Sequence, residues 1–149
     1  MRRTSFAQWP CSVARTADLL GDWWTPLVLR EAMYGTTRFE EFERVLGIGR
    51  NTLTQRLNRL VAEGVLEKVA YQDRPPRYDY RLTESGRDLF GVVATMLAWG
   101  DRWRSPDGPP IRLQHHACGH DTSAVVVCSH CREPLRLDEV STSPRRLRR

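Results

Sequence analysis

The chain carries 18 Asp and Glu residues, yet none lies between Glu43 and Glu63. A carboxylate-free stretch of that length excludes a solvated acidic face there, and it asks for a partner that repels carboxylates. Long apolar runs are also missing. Nothing approaches the roughly 18–20 residues that cross a bilayer, so no membrane-spanning helix is expected. The N-terminus, MRRTSFAQWPCSVARTADLLGDWW, starts basic but has neither a clean apolar centre nor a small-residue cleavage site, so it does not read as an export signal. Cysteine is sparse. Of the four, Cys11 stands alone, and Cys118, Cys128 and Cys131 cluster late in the chain. Without an export signal, that cluster favours a metal or redox site over a structural disulfide. No Ser/His/Asp arrangement, phosphate-binding loop or paired-carboxylate site is present, which argues against an enzyme.

What is there suits one ordinary domain with a small appendage: 149 residues, 40% hydrophobic, net charge +5 and a pI near 9.4. The positive balance points weakly to a polyanion. Apolar spacing predicts a helix over about Ser12–Leu20, capped by Ser12 and stopped by Gly21. Thr25 followed by Pro26 reads as the cap and first residue of a second helix, which ends at Gly35. Phe39, Phe42, Val45 and Leu46 give a short third helix with acids outside. Leu53, Leu57, Leu60 and Val61 form one stripe of a fourth. Leu66–Tyr71 and Tyr78–Leu82 read as a hairpin whose turn holds Asp73, Arg74, Pro75, Pro76 and Arg77. Thr83 caps a long last helix with a wide apolar arc that includes Trp99 and Trp103. This order gives a mainly α fold with a small β-hairpin wing, a winged helix-turn-helix.

The stretch GIGRNTLTQRLNRLVAEGVLEK (Gly47–Lys68) explains the missing acids. A helix entering a DNA major groove buries one face and presents donors and acceptors on the other. Arginine can contact guanine bidentately, and Asn or Gln can pair with adenine. The candidates here are Arg50, Asn51, Thr52, Thr54, Gln55, Asn58 and Arg59. In the hairpin, Arg74 and Arg77 can reach phosphates or a minor groove. The bland alternative is a solvated helix face that happens to lack acids. The ordered run of short helix, glycine turn, basic helix and basic hairpin weighs against it.

From Cys11 to Trp103 the chain resembles the HxlR-type family of bacterial winged-helix transcriptional regulators. The resemblance rests on the early Cys and on LGDWW, RFEEF, LTQRLNRLVAEGVL and RPPRYDYRLTESG in this order. It implies a homodimeric regulator of double-stranded DNA in the cytoplasm, with the first and last helices at the dimer interface. It places the helix-turn-helix within Thr36–Gly64 and the wing at Leu66–Leu82. The wide apolar arc of the last helix agrees with burial against a second subunit. Two departures stand out. Gly49 replaces the Ser common before the recognition helix, which removes a side-chain cap. Trp23 replaces a basic residue, and its indole is open to core, interface or ligand-pocket roles. In some members of the family, a cysteine at the place of Cys11 senses oxidants or electrophiles; the plain alternative is a small hydrophobe at the interface.

The expected boundaries are a winged-helix and dimerisation domain over 1–104, a linker over 105–111, a zinc-ribbon-like segment over 112–140 and a basic tail over 141–149. In HHACGHDTSAVVVCSHCREPL, His115-x2-Cys118 and Cys128-x2-Cys131 form two ligand pairs of the kind that close a tetrahedral zinc site. SAVVV would be a connecting strand, and His120 rivals His115. Against zinc, Arg132 stands where zinc turns favour glycine. A reversible Cys128–Cys131 thiol pair and unliganded cysteines are the alternatives. The final PRRLRR is either plainly solvated or adds phosphate contacts. The leading function is a dimeric repressor on a palindromic operator, responsive to a small molecule or an oxidant. A thiol or metal sensor acting through the tail, and a winged-helix protein-interaction module, stand behind it.

Overall fold

A computed structural model describes residues 5–142. The terminal PRRLRR lies outside the described residues. The chain forms two compact units, residues 1–93 and 94–149. The domain ends expected at 104 and 111 therefore fall inside the second unit.

The first unit is mainly helical. It holds α1 (Ser12–Leu20), α2 (Thr25–Met33), α3 (Phe39–Leu46), α4 (Arg50–Ala62), β1 (Leu66–Asp73), β2 (Pro76–Leu82) and α5 (Glu84–Asp88). α6 (Phe90–Trp103) begins in it and runs into the second unit. The core of the first unit is built from Val28 and Leu29 of α2, Phe42 of α3 and Leu53, Leu57 and Leu60 of α4, all fully buried. Ile48, Val65, Leu66 and Tyr80 close it from the turns and the hairpin. Each fully buried large apolar side chain stabilises the fold by about 1.5–3 kcal/mol. The stripe read from α4 is thus the face that anchors it, and its opposite face is left to solvent.

α3 and α4 are joined by Gly47, Ile48 and Gly49. Gly47 takes a left-handed conformation (φ 61°), which lets its N–H donate to the Glu43 carbonyl at 3.0 Å and reverses the chain. Ile48 drops into the core as the turn's anchor. β1 and β2 pair antiparallel from Leu66 opposite Leu82 to Asp73 opposite Pro76, with an irregularity between Ala70 and Gln72. Arg38 adds a single antiparallel bridge to Asp79, and Tyr80 N donates to Thr37 O at 2.8 Å.

Several local expectations change. The helix α2 is not capped by Thr25. Asp22 accepts from Trp24 N and Thr25 N, both at 2.9 Å, and Thr25 is buried with its hydroxyl turned to the same carboxylate. Cys11, not Ser12, occupies the N-cap position of α1. The strands reach further than expected, so only Arg74 and Pro75, joined by a cis peptide, form the turn, and Arg77 lies within β2 opposite Gln72. The last helix is two helices: it is interrupted at Leu89, where Val92 N and Val93 N both bond the Leu89 carbonyl. Thr83 does cap α5, accepting from Gly86 N at 3.2 Å. Gly86 is buried against Val65, just before β1, and Leu82, and a Cβ there would run into the Val65 carbonyl oxygen. That close approach leaves no room for a side chain where α5 meets the start of the hairpin. Trp23 is 92% exposed, which removes it from the core of its own chain.

In the second unit, β3 (Leu113–His115) and β4 (His120–Thr122) pair antiparallel, with His115 opposite His120. SAVVV is not a strand. Only Val127 makes a bridge, to Pro134, because β4 ends at Thr122 and Val125 and Val126 face solvent. A short 3-10 turn, η1 (Leu137–Glu139), follows.

Candidate nucleic-acid interface and the cysteine-bearing tail

The exposed face of α4 carries Arg50, Asn51, Thr54, Gln55 and Asn58, at i, i+1, i+4, i+5 and i+8. These five lie along one side of the helix because Leu53, Leu57 and Leu60 hold the other side in the core. Thr54 Oγ1 donates to the Arg50 carbonyl at 2.9 Å, which leaves its methyl group and an oxygen lone pair facing out. Arg50 is tethered at the helix start, 3.3 Å from Glu43 Oε2 and over the Phe39 ring at 4.8 Å. Gly49 supplies the N-cap with its carbonyl alone, accepting from Leu53 N at 2.9 Å, and no side chain caps the helix.

The other expected members of this face are placed differently. Thr52 is half-buried. Arg59 turns inward: its Nη2 donates to the Asp18 carbonyl at 2.6 Å and to Asp18 Oδ2 at 3.2 Å. Arg56 does the same one turn earlier, with Nε 3.0 Å from Asp22 Oδ1 in an ion pair that lacks hydrogen-bond alignment. Burial alone would push the Asp22 carboxyl up. Hydrogen bonds from the Thr25 hydroxyl, Thr25 N and Trp24 N, with the Arg56 guanidinium beside it, outweigh that and hold it below the usual carboxylate range. Asp18 and Asp22 are the residues that sequence reasoning missed. Their only signal was two acids in and just after the last turn of α1, with nothing local to say that α4 would meet them.

Arg74 and Arg77 are exposed on the hairpin. Below them Arg38 stacks over the Tyr71 ring at 4.0 Å and reaches Asp79 at 3.4 Å. The Arg81 hydrogen bond, helped by Arg38, holds the Asp79 carboxyl below its usual range. Asp79 is therefore an anchored charge at the hairpin base, and Arg38 joins the basic surface that Arg74 and Arg77 begin.

α1 contains no buried residue, Val13 on it is 77% exposed, and Cys11 at its start is exposed. On α6, Met96, Trp99 and Trp103 are each at least half exposed. The second unit also has an open cleft of about 550 Å³ lined by Leu97, Ala98, Ile111 and Arg112 among others.

In the tail the expected metal-binding residues lie as two pairs, His115 with Cys118 and Cys128 with Cys131. His115 Nδ1 is 3.5 Å from Cys118 Sγ. The Cys128 thiol is held below its usual range by the backbone N–H of Cys131 first, then by that of His130 and by the Cys131 thiol. Among the described residues, no three His, Cys, Asp or Glu side chains gather as a metal-binding group.

A short helix, a glycine-bounded turn, a helix with an exposed polar face and a basic hairpin define a winged helix-turn-helix protein. The HxlR-like helix-turn-helix family profile matches residues 19–108, and the chain belongs to that family. An uncharacterized HTH-type transcriptional regulator of Mycobacterium tuberculosis, Rv3095, is 45% identical over 134 residues, which is 89% of this chain and 85% of that one. The crystal structure of PA1607, a proposed transcription factor, superposes with a TM-score of 0.84 at 35% identity, covering 94% of this chain and 99% of PA1607. The redox regulator HypR in its reduced form gives 0.60 at 34% identity, covering 64% of this chain and 95% of HypR. The protein is a transcriptional regulator and not an enzyme. Among the described residues, no helix is long and apolar enough to cross a membrane.

Proposed function

We infer that the protein is a dimeric repressor that reads a palindromic operator with the exposed face of α4. The observation that carries this reading is the acid-free row of Arg50, Asn51, Thr54, Gln55 and Asn58, backed by a stripe of fully buried leucines. Asn51 and Gln55 have the donor–acceptor pairs for adenine, Arg50 those for guanine, and the Thr54 methyl suits thymine. Arg74 and Arg77 contact phosphates flanking each half-site. Arg59 and Thr52 support the reading helix from behind rather than touching bases. The uncovered apolar side chains of α1 and α6 supply the surface that a second copy covers.

Oxidant response is the regulatory reading that a specific observation favours. Cys11 is exposed on the helix assigned to the dimer interface, and HypR, a structural relative, is a redox regulator. Oxidation at Cys11 would change dimer geometry and so the spacing between the two reading helices.

Selection from random DNA tests the function. The expected product is an inverted repeat whose half-sites are about one helical turn apart. Enrichment of no sequence overturns direct readout. Retention of oxidant-triggered release in Cys11→Ser removes Cys11 from the sensing role.

A further inference from the structure

Given the reading of α4 as the DNA-facing helix, on which this rests, we propose that Glu43 is a positioning residue for Arg50. It turns the first arginine of α4 from a phosphate contact into a reader of one guanine per half-site.

Glu43 is the acid at which the carboxylate-free stretch begins, and its two ends are both engaged across the turn. Its carbonyl accepts from Gly47 N at 3.0 Å, the contact that closes α3. Its Oε2 accepts from Arg50 Nη1 at 3.3 Å. Between these contacts the chain has little freedom, because Gly47 is left-handed and Ile48 is buried in the core. The turn that joins α3 to α4 therefore sets the carboxylate in front of the first residue of α4.

Arg50 is held from a second direction. Its guanidinium lies over the Phe39 ring, 4.8 Å from the centroid. Phe39 and Glu43 stand four residues apart on α3 and so share one face of that helix. The ring sets the plane of the guanidinium and the carboxylate sets its rotation. The Glu43 contact uses Nη1, so the parallel N–H groups of Nε and Nη2 form the edge that can meet guanine O6 and N7.

Charge decides between guanine and phosphate. A lone arginine at this place would be drawn to the phosphate backbone, which carries no sequence. Beside Glu43 the pair is close to neutral, and what it offers DNA is the direction of its N–H groups. A guanine edge needs that direction, whereas a phosphate mainly needs charge. The two side chains are 66% and 34% exposed, and a pair that open to water adds little to the fold. What it does supply is a long side chain ordered before DNA arrives, which removes an ordering cost from binding.

The test uses the full chain. Selection from random DNA with the wild type defines the operator. Affinity is then measured for that operator and for one with the guanine read by Arg50 replaced by adenine in each half-site, over a series of salt concentrations. Arg50→Ala should lose the guanine preference and leave the salt slope unchanged. Glu43→Gln should lower the preference by about two- to tenfold per half-site, the effect of ordering one free side chain on binding. It should also steepen the salt slope by about one for each phosphate that the released Arg50 gains. Placed on Arg50→Ala, Glu43→Gln should change neither quantity. Glu43→Ala, which also removes the carboxylate, should repeat the Glu43→Gln result, and helical circular dichroism checks the fold of each variant. Weaker binding to every sequence, in the wild-type and Arg50→Ala backgrounds alike, would mean a brace between α3 and α4 and overturns the positioning role. Tighter binding to every sequence with the guanine preference intact would mean a charge that only repels DNA, and overturns it too. A wild type that enriches no sequence overturns the α4 reading and this role with it. A wild type that selects an operator, with Glu43→Gln unaltered at the guanine, overturns the role of Glu43 alone.

Discussion

Arg59 reaches out of the back of α4 to Asp18 of α1, donating to its carbonyl oxygen at 2.6 Å and to its carboxylate at 3.2 Å. The contact joins the helix proposed to read DNA to the helix proposed for the dimer interface. Arg56 and Asp22 repeat it one turn along, at 3.0 Å. Two charge-bearing contacts thus tie the back of α4 to the segment Asp18–Asp22, in addition to the apolar stripe.

Arg59→Ala should therefore cost about 1–3 kcal/mol of stability, as expected for a charge-assisted contact that leaves a half-buried carboxylate behind. Operator affinity should fall while the preferred sequence stays the same. Urea unfolding and a sequence-selection experiment on the variant check both halves.

Gln55→Ala should behave in the opposite way. Its side chain is exposed on α4, so stability should hardly change. Binding should weaken by about 1–3 kcal/mol, with relaxed preference at one base pair per half-site. Arg74→Ala should weaken binding to all sequences alike and lower the salt slope by about one. Titrations at several salt concentrations separate the two.

The acid limb of stability should report Asp22. Its folded carboxyl lies below the ordinary value of 3.8, so the unfolded chain takes up the proton first. The stabilisation is fully present above pH 3.8 and is lost as pH falls through the lower folded value. Asp22→Ala should be less stable than wild type by about 1 kcal/mol at neutral pH, the usual cost of a lost helix cap. The gap should narrow below pH 3.8, as followed by thermal melts across pH.

Gly86→Ala should destabilise the first unit by about 1–3 kcal/mol, because the new methyl meets the Val65 backbone rather than a movable side chain. Trp103→Glu should leave the helices intact and shift the protein from twice 17.2 kDa to a single chain in light scattering. An unchanged mass would take Trp103 out of the dimer surface.

Much of this was legible in the sequence because it is local. The starts of α1 through α4 follow from apolar spacing, and Gly47 and Gly64 mark turns that need left-handed backbone. The exposed face of α4 follows from its leucine stripe. What could not be read depends on partners far along the chain. Arg56 and Arg59 border the stripe and look available to DNA until Asp18 and Asp22 meet them, the first 41 residues away. The break at Leu89, just after Gly86 packs against the Val65 carbonyl, is reported by no helical periodicity. By residue type alone, Trp23 was open to core, interface or ligand-pocket roles. Its exposure follows from the Asp22 cap, which starts α2 just beyond it and turns its neighbour Trp24, not Trp23, toward the core.

The central claim is that α4 reads DNA through its acid-free face. The most direct measurement is the affinity of wild type and of Arg50→Ala/Gln55→Ala for the DNA fragment upstream of the protein's own gene, against an unrelated fragment of equal length. Wild type should bind the first fragment far more tightly than the second, and the double variant should lose that difference while keeping its helical content. Binding that is weak, indifferent to sequence and unchanged in the variant would contradict the account.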